Sequence, residues 1–561
     1  MRVKSKAGQM FGQMMEVPLF IGDILRHAAK TFGSTEIVSS TLGTDRLHRY
    51  SYADAHKRCL RLSRALRELG LGLGDRVGSL AWSTHQHFEL FYGVTGGGVV
   101  LNAMNPRFSE EVLAEVITHC GARWIFIDSA TLPLAEKLEA LLAGRVGWIY
   151  MDESAELPVA TLARLVSYEG LLAEQEDDYD WPEIDERSAS VICYTSGTGG
   201  EPKGVVYSHR SIVLSTIIAS ADDLTGLYRS TSGQAVMPIV TFFHGLGWLA
   251  PFTAPFNGQK LVLPGRNFDP AHLCALMHSE KVTIGCAVPT IWGLIAQYLA
   301  DHGRDIPSLR IAIVGGAKVP PRVTEALEKR GVLVAEMWGM TEAVAGSRSL
   351  ATTKPSGRVS DEVLWRTGRQ GRIGFGTSLR IVDDQGVKLP NDGIAVGNLQ
   401  ARGNNVASGY YNVPNQSRYD WLETGDVAKI YPDATFEVLD RSKDMIKSGG
   451  EWISSVAIEA AAAQHPSLNS VAVIPIHHPK WQERPLLVAQ LRDGVAATPA
   501  EILKHLSSRI PKWWMPETVV FVDALPMTPN GKVLKTALRE RFANILTEEA
   551  PGTERLTEMP D

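Results

Sequence analysis

The sequence predicts an α/β fold: a large N-terminal domain of two αβα-type subdomains plus a β-rich subdomain, with a small mobile C-terminal α+β domain. Three observations support this prediction. The first half alternates short apolar runs with amphipathic helical patterns, a Gly- and Asp-rich stretch of short alternating segments follows, and the pattern changes again after Arg441. Short apolar strands separated by helices favour parallel sheets covered by helices. We place the domains at 1–442 and 443–561.

The spacing of apolar residues predicts the elements of the first half. Ser51 followed by Asp54 is typical of a capped helix start, and apolar residues then recur every three or four positions as far as Leu69. Gly70 ends this helix, and a strand is predicted over 77–82. A helix over 110–119 and a strand over 123–127 repeat the pattern. A second stretch of this kind, 211–340, predicts strands at 281–287 and 310–314.

The second half differs in its composition and spacing. Short alternating segments with many Gly and Asp turns over 372–440 indicate a β-rich subdomain. Beyond it, the pattern predicts a helix over 456–464, strands over 470–475 and 486–491, and a helix over 499–508. The acidic tail after Glu548 is predicted to be disordered.

Composition and charge narrow the class of protein. The chain has 561 residues, with 56 Lys and Arg against 62 Asp and Glu, and a formal net charge of -6. This balance argues against a general nucleic-acid coat. No apolar run approaches the roughly 20 residues that span a bilayer, and the N-terminus lacks the apolar core of a signal peptide. The five cysteines are scattered, which indicates buried thiols in a reducing compartment and predicts a cytoplasmic enzyme.

The strongest chemical signal is a loop rich in glycine and hydroxyl groups at 194–204, with the sequence YTSGTGGEPKG. Backbone amides, hydroxyls and Lys203 on such a loop suit a polyphosphate, because glycines let the backbone approach the anion. The loop is not a Walker A motif, because Gly204 and not Ser or Thr follows Lys203. The alternative interpretation is a flexible Gly–Ser turn.

Four later motifs add carboxylates and lysines in a fixed order. They are WGMTE at 338–342, ETGD at 423–426, DRSKD at 440–444 and PNGK at 529–532. Glu342 offers oxygen ligands to Mg²⁺, and a carboxylate after a tight Gly turn, as at Asp426, suits the two hydroxyls of a ribose. Each motif by itself is more often solvated surface.

Together and in this order, the five motifs resemble the adenylate-forming superfamily of acyl-CoA synthetases, luciferases and peptide-synthetase adenylation domains. The resemblance covers 19–541. It is closest to the long- and medium-chain fatty acyl-CoA ligase branch, to which the segments 441–455 and 478–485 are especially similar.

The resemblance implies a role for each matching residue of the nucleotide site. The residues that would hold the ATP phosphates or line their loop are Thr195, Ser196, Gly197, Thr198 and Lys203. Thr341 and Glu342 would serve the α-phosphate and Mg²⁺. The remaining nucleotide-binding residues would be Trp338, Gly339, Asp426 and Arg441, the last two on the ribose.

The resemblance also implies an acid site and a CoA site. Lys443 would be the hinge between domains, and Lys532 would be carried by the small domain to the substrate carboxylate and the α-phosphate. The acid site would contain His244, Trp248 as an aromatic gate, Gly315, Gly316, Ala317 and Lys318. The pantetheine channel of CoA would be bordered by Gly449, Gly450 and Trp452.

Four positions differ from the pattern of this branch. Gly199 stands where a second Thr is usual, which predicts weaker ATP binding. Lys318 replaces a small residue, and Gly245 with Gly247 is expected to widen the acid pocket beside His244. These differences weigh against an ordinary straight-chain fatty acid.

The prediction is an ATP-dependent carboxylic acid–CoA ligase that activates a fatty or bulky hydrophobic carboxylic acid as an acyl-adenylate with release of pyrophosphate and then forms an acyl-CoA with release of AMP. A carboxylate has a poor leaving group, and adenylation supplies a good one. Two alternatives remain: an adenylating enzyme of natural-product biosynthesis that acts on a polycyclic or aryl acid with CoA or a carrier-protein thiol, and a nucleotide-binding regulator without turnover. Relatives of this kind commonly form homodimers.

Overall fold

The structure is a computed structural model that describes residues 12–43, 46–195, 202–221, 233–348, 369–413, 418–449, 451–527, 533–543 and 545. The helices are α1 Ile21–Thr31, α2 Tyr52–Glu68, α3 His85–Gly96, α4 Glu110–Cys120, α5 Leu132–Leu142, α6 Tyr168–Ala173, α7 His209–Ala221, α8 Ala250–Phe256, α9 Pro270–Ser279, α10 Pro289–Asp301, α11 Pro321–Glu328, α12 Ser455–Ala462, α13 Pro499–Ser507 and α14 Lys535–Arg541, with a 3₁₀ turn at Lys512–Trp514.

The strands follow the same order along the chain. They are β1 Glu36–Ser40, β2 Leu47–Ser51, β3 Arg76–Leu80, β4 Val100–Ala103, β5 Trp124–Asp128, β6 Gly147–Met151, β7 Leu165–Ser167, β8 Ala189–Thr195, β9 Lys203–Ser208, β10 Ala235–Pro238, β11 Lys260–Leu263, β12 Ile284–Ala287, β13 Ile311–Gly315, β14 Leu333–Met340, β15 Ala343–Arg348, β16 Arg372–Ile373, β17 Thr377–Val382, β18 Gly397–Gly403, β19 Leu422–Ile430, β20 Phe436–Arg441, β21 Ile446–Ser448, β22 Glu451–Ile453, β23 Leu468–His478, β24 Gln482–Leu491 and β25 Thr518–Phe521.

Two large, mostly parallel sheets form the first part of the molecule. The first sheet has the order β7-β6-β5-β3-β4-β8-β9, and only its last pair, β8 with β9, is antiparallel. The second sheet has the order β16-β15-β14-β13-β12-β10-β11-β1-β2, with parallel strands at its centre and antiparallel pairs at both ends. The apolar cluster between the sheets includes the fully buried rings of Phe91, Phe242 and Phe252. The two predicted αβα-type units are therefore confirmed.

Two smaller sheets complete the fold. The β-rich part is the antiparallel sheet β17-β18-β19-β20. After Arg441, the sheet β22-β21-β24-β23, with β25 parallel to β24, carries α12 and α13. The predicted change from α/β to β-rich to α+β is thus observed, and the strand pair β23–β24 is longer than predicted at both ends.

Local chemistry explains where several elements begin and end. The Ser51 side chain accepts a hydrogen bond from the Asp54 backbone while the Asp54 carboxylate accepts one from the Ser51 backbone, so α2 begins with the predicted capping box. Gly70 follows this helix with a φ of +74°, which suits glycine. The strand predicted from Lys281 begins only at Ile284, because Lys281 adopts a φ of +53°.

All five cysteines are buried free thiols, in agreement with the prediction of buried thiols. Within the described ranges, none of the helices combines the length and the apolar character needed to cross a bilayer.

Candidate functional site

The candidate site lies where β13 and β14 of the second sheet end and the chain turns into β15. Carboxyl ends of parallel strands are the usual place for ligands in α/β sheets, because loops and helix starts converge there. Gly315, at the end of β13, is paired with Met337 in β14. Trp338 and Glu342 follow on the same strand and turn, so this short segment adjoins the first three parts of the site described below.

The first part of the site is a carboxylate held from two sides. The indole Nε1 of Trp338 donates a hydrogen bond to Oδ2 of Asp426 at 2.9 Å, and Nε of Arg441 lies 3.0 Å from Oδ1. Asp426 in β19 and Arg441 in β20 are direct cross-strand partners. The Asp426 side chain is buried, whereas Arg441 remains 43% exposed. The sheet thus presents a fixed carboxylate beside a cation at the rim of the site, as the predicted ribose site requires.

The second part of the site joins the phosphate loop to the predicted Mg²⁺ ligand. The hydroxyl of Tyr410 donates to the carboxylate of Glu342 at 2.8 Å, and Nζ of Lys203 lies 5.3 Å from the centre of the Tyr410 ring. Burial raises the pKa of the Tyr410 hydroxyl, and the charge of Glu342 raises it further, so the hydroxyl remains a donor at neutral pH. Glu342 is buried and offers carboxylate oxygen, the donor that Mg²⁺ prefers.

The ends of the phosphate loop are close together because β8 and β9 form an antiparallel pair. Thr195 pairs with Lys203 at the mouth of this hairpin. Ser196, Gly197, Thr198 and Gly199 lie outside the described residues. Nearby, the Tyr207 hydroxyl donates to the backbone carbonyl of Thr341 and so fastens β9 to the turn after β14.

The third part of the site contains the predicted acid-binding residues. The Trp248 ring lies close to Gly315: a Cβ at Gly315 would lie 3.1 Å from the Trp248 ring and 3.1 Å from the Met337 carbonyl oxygen. Trp248 also packs against a buried apolar cluster, which contains Val236, Val240, Ile284, Cys286, Ile311 and Ala335. His244 is half-buried and its ring packs on Phe243, with ring centres 4.9 Å apart.

The backbone that carries Trp248 is wound in the left-handed sense. Five consecutive residues, Gly245–Leu249, have positive φ values of 45°, 52°, 55°, 47° and 65°. Such a turn is costly for residues with a Cβ and is found where surrounding packing enforces it. A Cβ at Gly247 would lie 2.8 Å from the Phe242 ring. The space that Gly247 was expected to open is therefore filled by Phe242, and this glycine serves the turn.

Lys318 follows the acid-binding segment and is held by an ion pair. Its Nζ lies 3.4 Å from Oε1 of Glu437 in β20, and the Lys318 side chain is 37% exposed. Gly316 and Ala317 are also exposed. Glu336, in β14 before Met337, lies near Lys318. Burial raises the pKa of Glu336 to about 7, although Lys318 and a hydrogen bond with Gln370 act in the opposite direction.

Beyond β20, the predicted CoA residues lie among tryptophans. Gly449 has a φ of +59°, and a Cβ there would lie 3.1 Å from the Trp481 ring and 3.2 Å from the Trp513 ring. The two rings meet edge to face with centres 4.9 Å apart. Trp452 stacks with Lys447, whose Nζ is 4.4 Å from the ring centre. Gly450 lies outside the described residues.

The predicted hinge is flanked by two acidic residues that hold the last helix. Lys443 is exposed, within a turn in which Asp444 donates its backbone N–H to the Arg441 carbonyl at 2.9 Å. Asp444 pairs with Arg539 of α14 at 2.7 Å. The other acidic residue is Asp440, described next.

Asp440 joins β20 to α12, and the Ser455 side chain of α12 extends this connection to α14. Oδ2 of Asp440 accepts hydrogen bonds from the backbone N–H and hydroxyl of Ser455 at 2.7 and 2.6 Å. The Ser455 hydroxyl in turn accepts one from Nζ of Lys535 at 2.7 Å, and Nζ also pairs with Glu459 at 2.7 Å. Lys532, three residues before α14, lies outside the described residues. The helix α14, which follows Lys532, is therefore held by Asp440 before the predicted hinge residue Lys443 and by Asp444 after it.

Three contributing residues were missed by sequence reasoning. Tyr410 links Lys203 to Glu342, Glu336 is the buried carboxylate beside Lys318, and Trp513 forms half of the aromatic pair around Gly449. The Gly-Tyr-Tyr sequence at 409–411 is the one available signal for Tyr410. Spacing gave none for the other two, because only tertiary folding brings them to the site.

The fold and the site define a class of protein, an enzyme that binds and transfers adenylate. Comparison with known proteins supports this class. The AMP-binding enzyme family matches residues 25–411, and the AMP-binding enzyme C-terminal domain matches residues 457–532. The chain belongs to the AMP-binding enzyme family. The resemblance to the adenylate-forming superfamily is therefore confirmed.

Several curated relatives match over nearly their whole length. A 3-methylmercaptopropionyl-CoA ligase of Ruegeria lacuscaerulensis is 40% identical over 96% of this chain and 100% of the relative. A medium-chain-fatty-acid–CoA ligase of Ectopseudomonas oleovorans is 38% identical over 96% of this chain and 98% of its own. A long-chain-fatty-acid–CoA ligase of Thermus thermophilus is 39% identical over 95% of this chain and 97% of its own.

Solved structures share the fold. The anthranilate CoA ligase AuaEII in complex with anthranoyl-AMP superposes with a TM-score of 0.81 at 23% identity, covering 95% of this chain and 99% of the other. ATP-bound MatB from Rhodopseudomonas palustris gives a TM-score of 0.78 at 24% identity, covering 93% and 99%. The predicted architecture of a large N-terminal and a small C-terminal part is confirmed.

Proposed function

We propose that this chain is an ATP-dependent carboxylic acid–CoA ligase whose acid is a linear aliphatic one. The reaction class, and with it the predicted use of ATP, Mg²⁺ and CoA, is confirmed by the full-length ligase relatives. The observation that carries the proposal is the convergence on β14: the acid-side contact of Gly315 with Met337, the Trp338–Asp426 hydrogen bond and Glu342 lie within one strand and its turn.

The nucleotide would bind with its ribose on Asp426 and Arg441 and its phosphates toward Lys203. The contacts from Trp338 and Arg441 fix the Asp426 carboxylate before the nucleotide arrives, so little ordering is left to the binding step. Glu342 fits Mg²⁺ by its donor chemistry and by its place beside the phosphate loop; the bound ion would offset the charge of the phosphates. Tyr410 keeps the Glu342 carboxylate oriented.

In the first half-reaction, an oxygen of the substrate carboxylate attacks the α-phosphorus of ATP, a new O–P bond forms, and pyrophosphate leaves. Both reactants are anions, so positioned cations must stabilise the charge that develops. We assign this role to Lys203 on the loop and to Lys532, carried by the segment before α14, while the neutral hydroxyl of Thr195 would donate a hydrogen bond to a phosphate oxygen. His244 would lie where the acyl group and the nucleotide meet.

In the second half-reaction, the thiol of CoA loses its proton, its sulfur bonds to the acyl carbon, and AMP leaves with the oxygen of the broken C–O bond. We propose that a C-terminal domain of residues 443–561 turns about Lys443 between the half-reactions, against an N-terminal domain of residues 1–442. Gly449, Gly450 and Trp452 would then border the pantetheine chain. One orientation cannot serve both steps if both Lys532 and this channel are needed.

The walls around Trp248 support a linear aliphatic acid. The cluster on which Trp248 packs consists of apolar side chains, Phe242 fills the space beside Gly247, and Lys318 is engaged with Glu437. An aliphatic chain gains free energy by burial against such walls, whereas a charged or polar acid would lose hydrogen bonds to water. The acids named for the full-length relatives, fatty acids and 3-methylmercaptopropionate, are also linear.

An acid panel tests this proposal. The purified enzyme is supplied with ATP, Mg²⁺ and CoA, and AMP release is measured with linear aliphatic, aryl and polycyclic acids. We expect the linear acids to have the highest kcat/KM, and the Trp248→Ala variant to shift the preferred chain length while the KM for ATP is retained.

The control is Trp421→Ala, which removes an indole that stacks on Arg380 in the β-rich sheet and leaves the acid site intact. A preference for aryl or polycyclic acids would overturn the assignment of the acid. Acyl-adenylate trapped by hydroxylamine, but transferred only to a carrier-protein thiol, would overturn the assignment of CoA. If no acid supports ATP–pyrophosphate exchange, the alternative of a nucleotide-binding regulator without turnover would be favoured.

We also propose that the enzyme acts in the cytoplasm. The support is its five free, buried thiols, which suit a reducing compartment. Fractionation of cells that produce the chain tests this proposal, and recovery of the enzyme with the membrane fraction at high salt would contradict it.

A further inference from the structure

A cluster of two histidines and a glutamate lies in a part of the molecule that the ligase reaction does not use. His48 is in β2 at the edge of the second sheet, His85 begins α3, and Glu153 follows β6 of the first sheet. One ligand atom of each lies within 4.8 Å of the others. The cluster borders an open recess at the carboxyl ends of β1, β3, β5 and β6, whose other lining residues include Ser40, Thr84, Gln86, Ser129 and Asp152.

Both rings face the same carboxylate. Nδ1 of His48 is 3.1 Å from Oε2 of Glu153, and Nε2 of His85 is 3.9 Å from Oε1. The two imidazoles stack with centres 3.8 Å apart and planes 2° from parallel. Tyr50 packs edge-on against both rings and limits their movement on one side.

The cluster has ligating capacity that its protein neighbours leave unused. Nε2 of His48 is buried and has no hydrogen-bond partner among the described residues. A buried polar atom without a partner is uncommon, and the same imidazole presents its other nitrogen, Nδ1, to Glu153. The charge of the neighbouring cation Arg58 is partly offset by two carboxylates, Glu89 at 2.7 Å and Glu169 at 2.6 Å.

We propose that His48, His85 and Glu153 bind a divalent transition metal ion, with Zn²⁺ as the fitting choice, and that the ion ties the β1–β2 hairpin to the first sheet. Two imidazoles with one carboxylate are an established Zn²⁺ ligand set, and water from the recess would complete a tetrahedron. Because the ligands come from β2, α3 and the segment after β6, the ion would cross-link the two large sheets.

Binding requires one defined movement. The lone pairs of the two stacked rings lie in parallel planes, whereas ligands of one tetrahedral Zn²⁺ converge, with donor atoms about 3.3 Å apart for bonds of about 2.0 Å. His85 is almost completely buried, whereas the His48 side chain is 26% exposed on an edge strand. His48 is therefore the residue that tilts out of the stack to close on the ion.

Metal binding by the full-length, tag-free enzyme tests this proposal. Chelator-treated protein is dialysed against Zn²⁺ without nucleotide, and bound zinc is counted per chain. We expect one Zn²⁺ that raises the thermal unfolding temperature, and a Co²⁺-loaded form with the strong visible absorption of four-coordinate cobalt. His48→Ala and the isosteric Glu153→Gln should each lose this ion and keep wild-type AMP release with acid, ATP, Mg²⁺ and CoA.

His278→Ala is the matched control, because His278 is an exposed histidine in α9 outside the cluster. It should keep the ion. Wild-type protein without bound Zn²⁺, or equal zinc in wild-type, His48→Ala and Glu153→Gln proteins, would overturn the proposal. Retained AMP release in both variants shows that they are folded, and the zinc count itself does not depend on the ligase assignment.

Discussion

At the scale of single residues, Glu336 makes a clear prediction about pH. Burial raises the pKa of this carboxyl from 4.5 to about 7. The folded protein therefore holds its proton more tightly than the unfolded chain, so wild-type stability contains a contribution that is present below pH 4.5 and is lost as the pH rises to about 7. Glu336→Gln removes the charge without changing the shape.

Glu336→Gln is expected to be as stable as wild type near pH 4.5 and more stable, by about 1–3 kcal/mol, at pH 8. Denaturant unfolding of both proteins at a series of pH values measures this difference. Lys318→Ala is the companion variant. It removes a positive charge that stabilises ionised Glu336, so this variant should be less stable than wild type at pH 8. A constant difference between Glu336→Gln and wild type across the pH range would contradict the burial of Glu336.

Sequence reasoning predicted some residues of the site and missed others. Asp426, Glu342 and Lys203 stand in ordered motifs, and the structure brings Glu342 and Lys203 together through one tyrosine and joins Asp426 to Trp338. Spacing alone gave no sign of Glu336, since a carboxylate within an apolar strand has no distinctive pattern. The environment of Lys318 was equally hidden, because its partner Glu437 lies 119 positions away.

At the scale of elements, the left-handed turn before α8 predicts different costs for its two glycines. Gly245→Ala adds a Cβ that would lie 3.6 Å from the Trp248 ring, an ordinary contact, so it pays only the conformational cost of about 1 kcal/mol. Gly247→Ala adds a Cβ that would lie 2.8 Å from Phe242 and so suffers overpacking of about 1–3 kcal/mol as well.

Thermal unfolding of the two variants measures this difference, and the acid panel reports whether Trp248 has moved. We expect Gly247→Ala to be the less stable variant and to have the larger change in acid preference. Equal destabilisation would show that Phe242 yields freely and that the turn is not fixed by its packing.

The network around α14 gives a second prediction for an element. Lys535→Ala leaves Glu459, whose side chain is 20% exposed, without its 2.7 Å partner; breaking a fully buried pair costs about 3–5 kcal/mol, so a smaller loss is expected here. The double variant Glu459→Gln/Lys535→Met removes both charges and should recover most of this loss. Lys504→Ala, at an exposed position of α13, is the control.

Limited proteolysis of the C-terminal segment and denaturant unfolding measure the effect of these variants. If the double variant is as unstable as Lys535→Ala, the loss comes from packing and not from an unpaired charge. The elements themselves were largely predictable, because capping residues and apolar periodicity set α2, α4 and α13. The contacts between α14 and the hinge were not, because they depend on charges far apart in sequence.

At the scale of the whole molecule, the proposed rotation about Lys443 predicts that the two half-reactions respond differently to one substitution. Lys532→Ala should lower acyl-adenylate formation by about 10²-fold or more, since it removes a single electrostatic group from the reacting centre. Thioester formation from supplied acyl-adenylate and CoA should change much less. ATP–pyrophosphate exchange and acyl-CoA release measure the two rates.

Lys480→Ala is the control for the loss of a lysine from the same domain, because Lys480 lies on its surface next to Trp481. Equal losses in both half-reactions of Lys532→Ala would contradict the two-orientation mechanism. Gly199, the position where weaker ATP binding is predicted, lies outside the described residues, and this prediction is tested by the KM for ATP of Gly199→Thr, which should fall.

The shared use of β14 constrains how an enzyme of this design acquires a new acid. We expect a larger residue at Gly315 to press on Met337 and to displace the neighbouring Trp338. A substitution there that makes the enzyme more selective for one acid would therefore weaken nucleotide binding. The loop that carries Val240 and Trp248 does not contain the residues that hold Asp426 and Glu342. Related enzymes that use different acids should therefore differ in the residues of the loop and share the residues of β14. Laboratory evolution of activity toward a new acid should begin at the loop.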